Sequence, residues 1–358
     1  MISVIIHEVG HNFFPMIINS DERQWTWMDE GLNTFVQYLT EKEWDVNYPS
    51  RRGPSMKIVD YMKGNQDRIS PIMTNSENIF QFGNNAYGKP ATALNILRET
   101  ILGRELFDFA FATYAKRWAY KHPTPADFFR TMEDASGVDL DWFWRGWFYS
   151  TDPVDISIDE VRLFNINSKN PDVEMAAKKA MDEEIEEYLG DILNVEMITS
   201  PLIYQKPELQ DLYNKRNEYK VTAYDKKKYD KFMEGLEDDE KEILEGKWNY
   251  YQMKFSNLGG LPMPIILRFT YEDGTKERHY IPAEIWKNDL PQVSKVFYSK
   301  KAIESVTVDP GLETSDIDRG NNYWPQRIQK NRFEVYQKRG RYGSDKKEPN
   351  DMQKAKEK

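Results

Sequence analysis

The sequence predicts an α+β protein, mainly helical over residues 1–150 and a β-sandwich over 151–322, interrupted by a charged helical insertion at about 172–247. Two observations carry this reading. Apolar residues recur at helical spacing as far as the aromatic run WFWRGWFY (142–149), and from Val154 the period changes to the alternation of strands. Charge marks out the rest. Residues 172–247 hold 21 acidic and 12 basic side chains, a net of −9, whereas 319–358 hold 5 and 12, a net of +7. At 358 residues the chain is long enough for two domains and a sizeable core.

In the helical part, Ile2, Ile5, Ile6, Val9 and Phe13 fall at i, i+3, i+4, i+7 and i+11, an apolar helical stripe. His7 and His11 lie off that stripe on one shared face. Leu32, Phe35, Val36 and Leu39 write a second helix. Residues 45–86, rich in Gly, Pro and Asn, read as loop with one short helix around Met56–Met62. A third helix starts near Pro90, a residue suited to the first helical position, and runs through Leu94, Leu97 and Ile101. Thr124-Pro125-Ala126-Asp127 has the pattern of a capped helix start.

In the second part, VDISIDEVRLF (154–164) alternates as a strand does. Residues 264–284 read as a hairpin turning at Asp273-Gly274. VSKVFY (293–298) and IESVTV (303–308) are expected to make another strand pair. The 172–247 insertion is expected to be solvated and helical. The basic segment 323–358 has few apolar residues and is expected to be a disordered, solvated tail rather than a nucleic-acid-binding element.

Composition excludes several classes. No run of eighteen apolar residues is present, so no segment reads as membrane-spanning. No basic n-region precedes an apolar stretch, so no signal peptide is visible. Cysteine is absent, which excludes disulfides and Cys-ligated zinc and leaves the compartment open. Neither cellular location nor oligomeric state follows from these observations.

The chemistry is written in His7-Glu8-Val9-Gly10-His11. Two histidines four residues apart lie about 40° apart around a helix, so both imidazoles reach one ion. Imidazole suits Zn²⁺, and a catalytic zinc keeps three protein ligands and an open position for water. Glu8 sits one step round from His7, beside that position, where it serves as general base. Glu30, in Trp27-Met28-Asp29-Glu30-Gly31, opens the second helix and supplies the third ligand. Such a motif arises by chance in about one chain in a hundred of this length, and here it uses two of only four histidines. One zinc ion held by His7, His11 and Glu30 is the expectation. His122 and His279 lack ligand spacing and are expected at the surface or in caps.

With this spacing the sequence resembles the gluzincin peptidases of the aminopeptidase N family, relatives of the leukotriene hydrolases. Ala86-Tyr87-Gly88-Lys89-Pro90-Ala91 is similar to the family's Tyr-x-Lys-x-Ala stretch. DFFRTMEDASGVDLDWFWRGWFY (127–149) is similar to its later catalytic helices, and residues 263–322 to the β-sandwich that follows in bacterial members. The resemblance implies a thermolysin-like zinc peptidase fold for the helical portion and a peptide or protein substrate. It implies that Glu8 takes a proton from the attacking water and passes it to the leaving amine. It also implies that Tyr87 donates its phenol hydrogen to the oxyanion of the tetrahedral intermediate, with Asp29 and Lys89 supporting the ligands.

The chain departs from the family pattern in one respect. The family's Gly-x-Met-Glu-Asn motif, whose Glu grips the substrate's free α-amine, does not occur, nor does the β-rich N-terminal domain. The expectation is therefore a C-terminal portion of a longer aminopeptidase. A zinc-binding but inactive fragment acting as an interaction module, and a thermolysin-type endopeptidase, are the alternatives.

Overall fold

Helix α1 (Ile2–Gly10) lies against α2 (Leu32–Trp44), and the face it turns inward is polar. The Ser3 hydroxyl donates to Glu41 (2.5 Å), His7 meets Gln37 (2.8 Å), and the Asn33 amide donates to the His7 carbonyl (2.8 Å). Most of the apolar stripe is correspondingly outward: Ile5, Val9 and Phe13 are each at least half exposed, as is Val4 beside them, while Ile2 and Ile6 are partly buried. Periodicity finds the helix and its stripe, but here hydrogen bonding, not apolar burial, decides which face packs.

This computed structural model describes residues 1–246 and 248–328. It is a mixed helical and sheet structure. After α1 the chain makes a wide i→i+5 turn at Asn12–Ile17 and reaches a second such turn at Trp27–Gly31, which runs straight into α2. The loop that follows carries only single turns and the short α3 (Val59–Met62). A third wide turn, Gly83–Gly88, leads into α4 (Lys89–Ile96), with Pro90 at its start as expected. Helix α5 (Arg104–Trp118), not among the predicted helices, buries Phe107, Ala110 and Tyr114 at i, i+3 and i+7. Helix α6 (Pro125–Ser136) begins in a Thr124/Asp127 capping box, and α7 (Asp141–Tyr149) is the aromatic run.

Aromatic packing fixes these helices. Trp27 meets Phe148 of α7 edge-on (4.8 Å between centroids) and stacks on Phe129 of α6 (5.8 Å), an arrangement that adds about 1 kcal/mol per pair beyond area burial. The turn carrying Glu30 is thus nailed to the core three residues before the carboxylate. On its other side, α7 meets the sheets: Trp147 Nε1 lies 3.4 Å from the Met263 sulfur, and Trp286 donates to the Met263 carbonyl (2.8 Å).

Two antiparallel sheets follow. One has the order β1-β2-β5, with β1 at Ile156–Asn165, β2 at Asn249–Asn257 and β5 at Gln292–Ser299. The other is β4-β3-β6-β7, with β3 at Ile265–Tyr271, β4 at Lys276–Ile281, β6 at Ile303–Val308 and β7 at Tyr323–Trp324. The β3–β4 hairpin turns at Asp273-Gly274 as predicted.

The expected pairing of 293–298 with 303–308 is wrong. β5 pairs with β2 and β6 with β3, so the two runs belong to different sheets. The missing piece is β2, whose alternating Tyr251, Met253 and Phe255 are all buried. It takes the partner position that a short connection had suggested for β6. The sheets share apolar contacts, with Phe297 of β5 edge-on to Phe269 of β3 (5.1 Å).

Between β1 and β2 the chain forms six helices, α8 (Pro171–Glu183), α9 (Leu189–Met197), α10 (Leu202–Gln205), α11 (Leu212–Lys215), α12 (Ala223–Glu234) and α13 (Asp238–Glu245). Their side chains are largely exposed, as the charge run predicts. The expected disordered tail is corrected at its start, because Tyr323 and Trp324 pair with β6. Residues 329–358 of it lie outside the described residues. Among the described residues no helix is long and apolar enough to cross a membrane.

Candidate metal centre

His7 and His11 leave α1 one turn apart and meet edge-on, with 4.7 Å between ring centroids at 87°. Glu30 arrives from the turn before α2, with Oε2 3.1 Å from His7 Nε2 and 3.6 Å from His11 Nε2. One donor atom from each of the three lies within 4.8 Å of the others. The close approach is allowed by Gly31. A Cβ there would stand 2.6 Å from Pro90 Cγ and 3.0 Å from the Ala86 carbonyl oxygen. The same contact brings the turn holding Tyr87 up to the histidines, where its ring stacks on His7 at 5.8 Å and 26°.

Each imidazole is oriented by its second nitrogen. His7 Nδ1 lies 2.8 Å from Gln37 Oε1. The Gln37 amide nitrogen donates to Ser3 Oγ (2.7 Å) and to the buried Glu41 (2.8 Å), which fixes the oxygen toward His7. His7 Nδ1 therefore carries a hydrogen, and Nε2 is left facing Glu30. His11 Nδ1 lies 2.8 Å from the Phe14 carbonyl and 2.9 Å from Asp29 Oδ1, which leaves its Nε2 facing the same point. Orientation of this kind is what holds imidazole ligands on a metal. Two imidazole nitrogens and a carboxylate, converging and half-buried, are a donor set that fits zinc.

The charges respond to this crowding. The Glu30 hydrogen bond raises His7, outweighing the lowering by burial. Burial acts to raise Glu30, but hydrogen bonds from His7 and Tyr87 and the His11 charge bring it below the usual carboxylate range. Burial, helped by the Glu30 and Glu22 carboxylates, pushes Asp29 up to about 8. Burial and its hydrogen bond to Glu30 hold the Tyr87 phenol above its ordinary value.

The structure thus brings His7, His11, Glu30 and Tyr87 together, and Glu8 lines a cavity of about 350 Å³ with His7 and Tyr87. Asp29 Oδ1 lies 2.9 Å from His11 Nδ1. Lys89 does not join the ligands. It is fully buried, and its ammonium donates to the Ser150 carbonyl at the C-terminal end of α7 (3.0 Å). His122 is exposed against Asn19, and His279 packs on Phe269 in the sheet. Sequence reading missed Gln37 and Glu41. Gln37 lies two helical turns after Glu30 and Glu41 one turn further, a spacing that points to them only once His7 is known to face that helix.

The Peptidase family M1 domain matches residues 1–147. Glutamyl aminopeptidase of Bos taurus is 25% identical over 142 residues, covering 38% of this chain and 15% of that protein. Tricorn protease-interacting factor F2 of Thermoplasma volcanium is 28% identical over 151 residues, covering 40% of this chain and 19% of that one. The chain therefore spans under a quarter of the length of these relatives. Among solved structures, aminopeptidase A of Legionella pneumophila in complex with aspartic acid is 14% identical, with a TM-score of 0.47 over 88% of this chain and 26% of that one.

Proposed function

We propose that this chain, whose residues 1–147 match the Peptidase family M1 domain, hydrolyses peptide bonds as a zinc-dependent aminopeptidase, with His7, His11 and Glu30 as ligands of one zinc ion, Glu8 as general base and Tyr87 as oxyanion donor. The supporting observation is the convergence of the three ligand atoms within 4.8 Å, beneath a tyrosine stacked on one ligand ring. Zinc at such a site supplies Lewis-acid polarisation of the carbonyl and activation of water at neutral pH. Glu8, which lines a cavity with His7 and Tyr87 but is not among the converging atoms, takes the proton of the attacking water and delivers it to the departing amine. Tyr87 keeps its proton, because burial and Glu30 hold its phenol above its ordinary value. It is therefore a donor rather than a base, and its hydrogen goes to the oxyanion. We read residues 1–150 as a thermolysin-like catalytic portion and 151–322 as a β-sandwich domain carrying the helical insertion.

The test is hydrolysis by the zinc-loaded protein of aminoacyl-coumarins with free and with acetylated amines, beside Glu8→Ala. Cleavage of the free-amine set alone, lost in Glu8→Ala with zinc content retained, is the expected result. Cleavage of both sets would make it an endopeptidase. Parental activity in Glu8→Ala would remove Glu8 as the base, and zinc bound without any hydrolysis would leave the chain an inactive zinc-binding fragment.

A further inference from the structure

The cavity beside the metal centre has a cationic wall that the proposed hydrolysis does not use. Arg51 and Arg52 line it together with His7, Glu8 and Tyr87. They are not on a free-swinging loop. Gly53 follows them at φ +103°, and a Cβ there would stand 2.5 Å from Tyr38 Cγ of α2, so the dipeptide is pressed onto the helix that follows Glu30. Two residues on, the Ser55 hydroxyl donates to the Leu312 carbonyl, and the Ser315 hydroxyl donates to the Ser55 carbonyl (2.8 Å).

Neither guanidinium makes a close ion pair among the described residues, although the Glu30 carboxylate acts on Arg52 at longer range. Arg23, Arg98, Arg104, Arg117, Arg162 and Arg278 each hold a carboxylate, whereas Arg68, Arg130, Arg145 and Arg268 do not among these same residues. Among the described residues Arg51 and Arg52 hold none, although the chain has 59 acidic side chains and only 49 basic ones. Glu41, a carboxylate in their own cavity, is occupied by Ser3 and Gln37. Arg52 lies 4.4 Å over the Tyr87 ring, a contact that uses its face and leaves its five in-plane N–H donors for an acceptor. Arg51 adds a like charge beside it. Two adjacent cations, Arg52 half-buried and Arg51 exposed, gain most from an anion that pairs with both.

We infer that Arg51 and Arg52 form a carboxylate-recognising subsite beside the metal centre, favouring peptides that carry a carboxylate near the scissile bond, whether a free C-terminus or an acidic side chain. This rests on the peptidase reading of the adjoining centre. Four probes separate the two sources: Leu-Glu, Leu-Gln and the C-terminal amide of each. In the zinc-loaded protein, at least one carboxylate should raise kcat/KM roughly ten- to a hundredfold over Leu-Gln amide, chiefly through KM. Arg51→Ala and Arg52→Ala should each shrink that ratio. Equal kcat/KM for all four peptides overturns the inference. So does an Arg52→Ala variant that lowers kcat alike for all four and keeps the ratio, since Arg52 would then only position Tyr87. Binding of the same peptides to Glu8→Ala, followed by calorimetry, reads the preference without turnover. If the parent hydrolyses nothing while carboxylate peptides still bind roughly tenfold tighter through these arginines, the subsite stands and the peptidase reading falls. Equal binding of all four peptides overturns the subsite.

Discussion

Lys89 offers the sharpest test of how the site is held. Its ammonium is wholly buried, donates to the Ser150 carbonyl, and has its pKa lowered by burial from 10.5 to about 8. At 1.36 kcal/mol per pK, keeping it charged costs the fold about 3 kcal/mol. Lys89→Met retains the length and apolar volume of the side chain and removes the charge, at the loss of one hydrogen bond to a carbonyl, about 1 kcal/mol. The variant should therefore be more stable than the parent by about 2 kcal/mol at pH 7.

The sign in pH follows from proton counts. Below about 8 the folded and unfolded chains both carry the proton, so the full penalty applies. Between about 8 and 10.5 the unfolded chain keeps the proton that the folded chain has released, so the parent gains stability as pH rises. Urea unfolding of both proteins at pH 7 and pH 10 should show the gap closing at the higher pH. A variant less stable than the parent at pH 7, by an amount that does not change at pH 10, would refute the reasoning. The ammonium would then stabilise the fold as the cap of α7.

Three further outcomes are expected at the centre itself. Tyr87→Phe should lower kcat about a hundredfold with KM nearly unchanged, as loss of a contact made only in the transition state does; steady-state kinetics decides it. Gly31→Ala should destabilise by about 1–3 kcal/mol, because the new methyl meets the Ala86 carbonyl and Pro90 rather than a flexible side-chain end, and thermal unfolding reads this directly. Gln37→Leu should weaken zinc retention roughly tenfold or more, measured by competition with a chelating dye, since His7 loses the acceptor that orients it.

Much of the centre was legible because its converging residues are local in sequence. Helical spacing alone brings His7 and His11 to one side of α1. Glu30 needed only a turn and the start of α2. Gln37 and Glu41 lie on that same helix yet carry no motif, because a glutamine holding a histidine looks like any surface glutamine until its partner is known. Arg51 and Arg52 were illegible for a different reason: their position comes from Gly53 against Tyr38 and from Ser55 against residues 312 and 315, contacts with no period in the sequence. In the sheets, alternation located β3 and β4, whose turn is local. The partnership of β5 was misjudged because strand adjacency depends on β2, which follows directly after a long charged segment. The inward polar face of α1 shows the same limit, since periodicity reports an apolar stripe without saying what covers it.

The insertion enters the β1–β2 ladder in an instructive way. Its two ends are hydrogen-bonded neighbours, with Asn165 opposite Asn249 at the open end of the antiparallel pair. Topologically it is a hairpin turn grown to roughly eighty residues. Closing so long a loop costs about 2 kcal/mol more than closing a five-residue one, at 0.6 kcal/mol per doubling. That cost falls on the nucleation of the sheet rather than on the helices that carry His7, His11 and Glu30. The pairing of β1 with β2 should then be a late event in folding, hastened when the six helices between them form first and shorten the chain that must be closed.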